Sequence, residues 1–176
     1  MESLVHKGKC RAIGISNFSH AELTRLLSSD ITVPPADHQI EQHPYLTQSA
    51  FAEFHKQKNI HITQYSPFGN SNPIYDNKSG PGVGPMIEDN VLVEIGKKYG
   101  GKTGAQVALA WGIAHGRSVI PKSKTPARIR QNLEGDFKLD KEDVEKIDGL
   151  DKKLRFNDDG EDFGWDLFAD LEGKRR

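Results

Sequence analysis

The order of elements along this chain constrains its fold more than any single motif. Four short β-prone runs, RAIGIS (11–16), ADHQIE (36–41), IHITQYS (60–66) and RSVIP (117–121), are separated by amphipathic stretches. Ser19, with Glu22 three residues on, forms a capping-box pattern and predicts a helix to Ser28, with Leu23, Leu26 and Leu27 on one face. Gln48 to Gln57 predicts a second helix, carrying Phe51 and Phe54. Glu88–Tyr99 and Thr103–His115 predict two more, split at Gly100-Gly101. Thr125–Leu133 and Lys141–Leu150, the latter capped by Asp140, complete the set. Such β-α alternation implies parallel strands joined by right-handed crossovers. Four units suit part of a doubly wound sheet or half of a β/α barrel.

In both architectures ligands sit at the C-terminal ends of the strands. The loops there begin at Ser16, Glu41, Ser66 and Lys122, and they collect polar and aromatic residues. The most unusual is IPKSKTPARIRQN (120–132). Thr125-Pro126 suits a helix start. A helix N-terminus is already partly positive and favours acids in its first turn. Yet Lys122, Lys124 and Arg128 crowd this end, with Arg130 close behind. Helix N–H groups and nearby bases attract the same thing, an anion such as phosphate. Ser123 and Thr125 add hydroxyl donors, and Arg128 and Asn132 share a helix face. A solvated basic helix start is the plain alternative.

Tyr65, at a strand end, suits stacking on a flat ligand ring or a place at the rim of the core. Gln39 can both donate and accept, which suits a carboxamide ligand or a satisfied buried amide. Ser16 and Asn17 offer similar contacts, or cap the next turn. GVGP at 82–85 lies in a Gly/Pro/Asn-rich loop and is no dinucleotide fingerprint. The seven histidines lack metal-ligand spacing, so no metal is expected.

The chain has 176 residues and a formal net charge of −1, which suits one domain and gives no reason to expect nucleic acid or a membrane as partner. One cysteine, Cys10, excludes an intrachain disulfide. MESLVHKGKC has no signal-peptide pattern and no run approaches a membrane helix, so a cytoplasmic protein is expected. At 35% hydrophobic the chain is polar for a packed domain, which fits either its loops and polar tail or a missing part of a larger body.

Several loops together resemble one family, the aldo-keto reductases. GKCRAIGISNF, HQIEQHPYL, QYSPFG and VIPKSKTPARIRQN are similar, in order and spacing, to the segments of its fifth to eighth barrel strands. The resemblance covers about residues 4–150. The tail, RFNDDGEDFGWDLFADLEGKRR, resembles fungal members of the glycerol dehydrogenase and aldehyde reductase type. The resemblance implies the C-terminal half of a (β/α)8 barrel at residues 1–150, followed by a C-terminal loop at 151–176, with NADPH bound across the strand ends. It gives Ser16, Asn17 and Gln39 the nicotinamide carboxamide, and Tyr65 the face of the nicotinamide ring. Ser66, Phe68 and Asn70 would lie along the pyrophosphate. Asn70 stands where many relatives carry Ser. Lys122, Ser123, Thr125 and Arg128 would take the 2′-phosphate, and Gln131 and Asn132 the adenine. Phe163, Trp165 and Phe168 would line a substrate pocket, unless the tail is a mobile terminus.

The family's catalytic Asp-Tyr-Lys-His tetrad lies in its N-terminal half, and none of the motifs that carry it occurs here. The resemblance therefore implies a truncated NADPH-dependent reductase of aldehydes, ketones, sugars or polyols, inactive in isolation, with Met1 falling inside the fourth helix of a full barrel. The alternatives are a stand-alone half barrel that binds NADPH without catalysis, as a sensor or pseudoenzyme, and a structural partner completing a split barrel. A half barrel has two open edges and exposes side chains meant for its interior, which favours association, including a homodimer.

Overall fold

A computed structural model describes residues 1–69, 83–158, 164, 168 and 170–173. Its centre is one parallel four-stranded sheet, β1 (Gly14–Ser16), β2 (Asp37–Glu41), β3 (His61–Tyr65) and β4 (Ser118–Val119), in that spatial order. Each connection steps to the next place in the same direction. A doubly wound sheet reverses that direction at its switch point. The steady progression is that of an open segment of a β/α barrel.

The helices are α1 (Glu2–His6), α2 (His20–Leu27), α3 (Ser49–Gln57), α4 (Asn90–Lys98), α5 (Gly104–Ala114), α6 (Pro126–Leu133) and α7 (Lys141–Asp148). Local chemistry sets several of their starts. Ser19 and Glu22 close a capping box on α2, and Thr103 and Gln106 close another on α5. Two expected caps differ. Thr125 precedes α6 without a side-chain cap, and its own N–H donates to Ser123 Oγ at 3.1 Å. Asp140 leaves α7 uncapped and instead takes Lys98 Nζ at 2.9 Å. None of the helices among the described residues is long and apolar enough to cross a membrane.

Strand alternation gives the sheet two faces. Ile15, His38, Ile40, Ile62, Gln64 and Val119 point toward the helices. Around Ile40 and Ile62 pack Leu23, Phe51 and Ile60. A larger cluster centred on Trp111 joins α4, α5 and α7 to Tyr45 and Phe156. At Gly112 a Cβ would stand 2.6 Å from Gln64 Nε2 and 2.7 Å from Val119 Cγ1, so only glycine lets α5 lie this close to β3 and β4. The opposite face carries Ser16, Asp37, Gln39, Glu41, Thr63, Tyr65 and Ser118, and its side chains pair across strands: Thr63 Oγ1 donates to Asp37 Oδ1 at 2.8 Å. This inner face is polar. The exposed large apolar residues lie elsewhere or at its margin: Met1, Leu4, Ile120, Ile129 and Leu133.

The edge strands are shorter than RAIGIS and RSVIP suggest. Among the described residues β1 pairs only with β2, and β4 only with β3, so the ladder is continuous only where a neighbour faces it. The described part of the tail is tied to the strand ends. Lys152 N–H and Leu154 N–H donate to the Tyr45 carbonyl, and Asp170 caps α2 at the His20 and Ala21 N–H groups.

Candidate functional site

The C-terminal ends of the strands form two unlike regions. At the first, Ser16 and Gln39 sit side by side in register on β1 and β2, with Gln39 paired in turn to Thr63. Beyond β1 the chain turns sharply at Asn17, whose φ of 57° is a left-handed conformation that asparagine tolerates better than most residues. Asn17 N–H donates to the Gln39 carbonyl at 3.1 Å, which fixes the turn against β2. The Asn17 side-chain oxygen is buried and has no hydrogen-bond partner among the described residues. A buried acceptor left unmatched costs about 1–3 kcal/mol, so it asks for a donor. A primary carboxamide beside Gln39 would supply one.

Next along this region, Tyr65 ends β3 opposite Glu41 in register. Ser66, left-handed at φ 48°, opens the turn that holds Phe68, and its hydroxyl accepts from Asn157 Nδ2 at 3.2 Å. Glu41 is fully buried. Burial pushes its carboxyl up, but the His43 hydrogen bond and charge, the Arg155 charge and the Phe156 N–H outweigh it and hold the group below its ordinary value. Its oxygens accept from His43 Nε2 at 3.1 Å, Phe156 N at 2.7 Å and Asn157 N at 2.9 Å. Arg155 stands 4.0 Å away, with its guanidinium over the Phe168 ring at 4.1 Å. Phe168 is buried, with its ring under the Arg155 guanidinium. Asn70, Phe163 and Trp165 lie outside the described residues.

The second region is the start of α6. Lys122, Thr125, Arg128 and Gln131 are exposed there, and Ser123 and Asn132 are half-buried. The first turn holds no acid. Among the described residues no carboxylate pairs with Lys122, Lys124, Arg128 or Arg130, so this cationic end is uncompensated. The Gln131 carbonyl accepts from Gln106 Nε2 at 3.0 Å, which ties α6 to α5. Lysines, hydroxyls and an arginine at a helix N-terminus fit a phosphate monoester.

The residues singled out from sequence therefore fall into a carboxamide-like group, Ser16, Asn17 and Gln39; an aromatic and turn group, Tyr65, Ser66 and Phe68; and a basic group, Lys122 to Asn132. Sequence reading passed over the Glu41–Arg155 anchor and the buried pair His38–His55. Their partners lie far apart in the chain, and no local spacing marks them. The described residues contain no cluster of three or more His, Cys, Asp or Glu able to hold a metal.

A model of the Aldo/keto reductase family matches residues 1–152. An uncharacterized oxidoreductase of Schizosaccharomyces pombe is 45% identical over 158 residues, covering 89% of this chain and 47% of the relative. An NAD(P)H-dependent D-xylose reductase of Aspergillus niger is 40% identical over 176 residues, covering 97% of this chain and 53% of that protein. Aldo-keto reductase family 1 member D1 of Mus musculus is 38% identical over 159 residues, with 89% and 48% covered. The chain spans about half the length of the curated relatives it matches. Four ordered β/α units, a matching family model and this identity agree, and the chain belongs to the aldo/keto reductase family.

Proposed function

We propose that this chain is the cofactor-binding half of an NADPH-dependent carbonyl reductase. The observation that carries the reading is the buried Asn17 oxygen beside Gln39, without a partner among the described residues, at one end of a face whose other end is a basic helix start that no described acid compensates. In this reading Ser16, Asn17 and Gln39 hold the carboxamide, and Tyr65 lies against the nicotinamide ring and fixes the face it presents. Ser66, Phe68 and Asn70 line the pyrophosphate. Lys122, Ser123, Thr125 and Arg128 hold the 2′-phosphate, and Gln131 and Asn132 flank the adenine. NADPH, when bound, supplies the hydride for carbonyl reduction.

No residue of this chain is assigned the proton that the carbonyl oxygen must receive. The general acid and its supporting charges are worth several orders of magnitude in rate. The 176 residues alone therefore bind cofactor without turning substrate over. The relatives named as D-xylose reductases favour an aldose among the carbonyl substrates. A second reading, a stand-alone NADPH-binding module, draws on the polar inner face, which tolerates water better than an apolar barrel lining would.

The test is paired titration of the chain with NADPH and NADH. Arg128→Ala should weaken NADPH selectively, and Asn17→Ala should weaken both cofactors alike. Equal losses for both cofactors in Arg128→Ala would remove the 2′-phosphate assignment.

A further inference from the structure

Two buried histidines that play no part in the reading above join the carboxamide end of the sheet to its helix layer. His38 lies on the helix-facing side of β2, and His55 on α3; neither is exposed to solvent. Phe18 N–H donates to His38 Nε2 at 3.0 Å. His38 Nδ1 lies 2.7 Å from His55 Nε2, and His55 Nδ1 lies 2.6 Å from the Phe51 carbonyl oxygen.

The two ends of this line fix every proton in it. A backbone N–H can only donate, so His38 Nε2 is a bare acceptor and the ring's hydrogen sits on Nδ1. A carbonyl can only accept, so His55 carries its hydrogen on Nδ1 and its Nε2 is bare. The middle contact is then His38 Nδ1–H donating to His55 Nε2. Both rings are neutral, each in one tautomer. A further proton on either bare nitrogen would set two N–H groups head to head.

The surroundings favour the neutral state. Phe18 and Phe51 present ring edges to His38 at centroid distances of 6.3 and 5.8 Å, and Phe51 meets His55 at 4.3 Å. Burial, helped by the neighbouring His55, pushes His38 down to about 3. Burial also lowers His55; the bond to Phe51 and the charge of Asp37 on β2 oppose that, and His20 on α2 adds to it. Asp170 caps α2 beside His20. On the outer side, Glu53 and Lys56 of α3, His61 of β3, and His115 and Arg117 beyond α5 line a cavity that His55 also borders.

The line ends on the turn that matters for the cofactor. Consecutive amides are held by consecutive residues of β2: Asn17 N–H by the Gln39 carbonyl, and Phe18 N–H by the His38 ring. We propose that His38 and His55 are positioning residues for the Asn17 turn: the neutral pair holds the Phe18 amide, and with it the Asn17 acceptor, and protonation of the pair releases the turn. The effect on cofactor rests on the function proposed above; the hold on the turn does not.

The experiment follows three quantities against pH in wild type, His38→Gln and His38→Leu: Phe18 amide exchange, the histidine ring nitrogen shifts, and the affinities for NADPH and NADH. In wild type the shifts should show both Nε2 atoms bare near neutrality. Phe18 protection and both affinities should hold through mildly acid pH and fall together as pH approaches 3. His38→Gln keeps an acceptor near the Nε2 position but does not titrate, so its protection should stay near wild type and lose its pH dependence. His38→Leu should lose Phe18 protection at every pH and weaken both cofactors about tenfold and equally. Other tautomers, a charged pair at neutral pH, or the wild-type pH profile persisting in His38→Gln would overturn the proposal, whether or not the leucine variant folds. If wild type binds neither cofactor, the proposed function fails, while amide exchange and ring shifts still decide whether the pair holds the turn.

Discussion

The two ends of the strand-end face are built on opposite principles. The carboxamide end is internal. Asn17 and Phe18 are tied to β2, Glu41 is buried among three donors, and the tail is clamped through Arg155. The α6 end is external, with solvated lysines and an arginine held by no acid among the described residues. Buried polar groups discriminate by geometry, because an unmatched partner keeps its full desolvation cost. Exposed charges discriminate by charge, act at longer range and are screened by salt. A face built this way would accept the part common to both nicotinamide cofactors through shape, and choose between them through a surface phosphate.

The comparison is broken most severely at the buried end. Arg155→Ala should cost about 3–5 kcal/mol in chemical denaturation, because it removes the positive charge beside the buried Glu41, two hydrogen bonds to Gln48 Oε1 and the Glu172 carbonyl, and the cover over Phe168. A cost under about 1 kcal/mol would mean that the anchor is dispensable. Acid should act next. His38 takes up its proton at a lower pH in the folded chain than in the unfolded one, about 3 against 6.5. The unfolded state then binds the proton first, so this histidine's contribution is complete above pH 6.5 and is lost as pH falls toward 3. Its size should be on the order of a few kcal/mol, absent from His38→Gln, and measured by denaturant titration across that range.

At the exposed end the effects are smaller. Arg128→Ala should weaken NADPH about tenfold, or about 1.4 kcal/mol, with NADH and the unfolding midpoint unchanged. Added salt should narrow the NADPH preference of wild type but not that of the variant. Ser123→Ala removes the acceptor for the Thr125 N–H and should cost about 0.5–1 kcal/mol of stability by thermal unfolding.

The order of elements was legible because hydrophobic period, capping boxes and Gly/Pro breaks are local. Ser19–Glu22 is an example in which sequence spacing and geometry agree. The strand limits were less so: β4 is reduced to Ser118–Val119 because pairing depends on the neighbour, which composition does not state. The basic start of α6 was legible as charge against dipole, although Ser123 rather than Thr125 supplies the accepting side chain. The buried end was legible only in part. Ser16 and Asn17 stand at a strand end and Gln39 lies within a strand, and all three drew notice as polar residues there. Glu41 meets Phe156 across 115 positions and His38 meets His55 across 17, and such pairings become visible only when the sheet and its helices are assembled.

The most direct test of the division between a shape-reading end and a charge-reading end is a parallel NADPH and NADH titration of wild type and Arg128→Ala, with folding checked by circular dichroism on the same samples. Saturable binding of both cofactors to wild type, NADPH tighter, with the preference lost in the variant and NADH affinity unchanged, is the predicted result. A folded chain that binds neither cofactor, or binds both equally in wild type and variant, would contradict it.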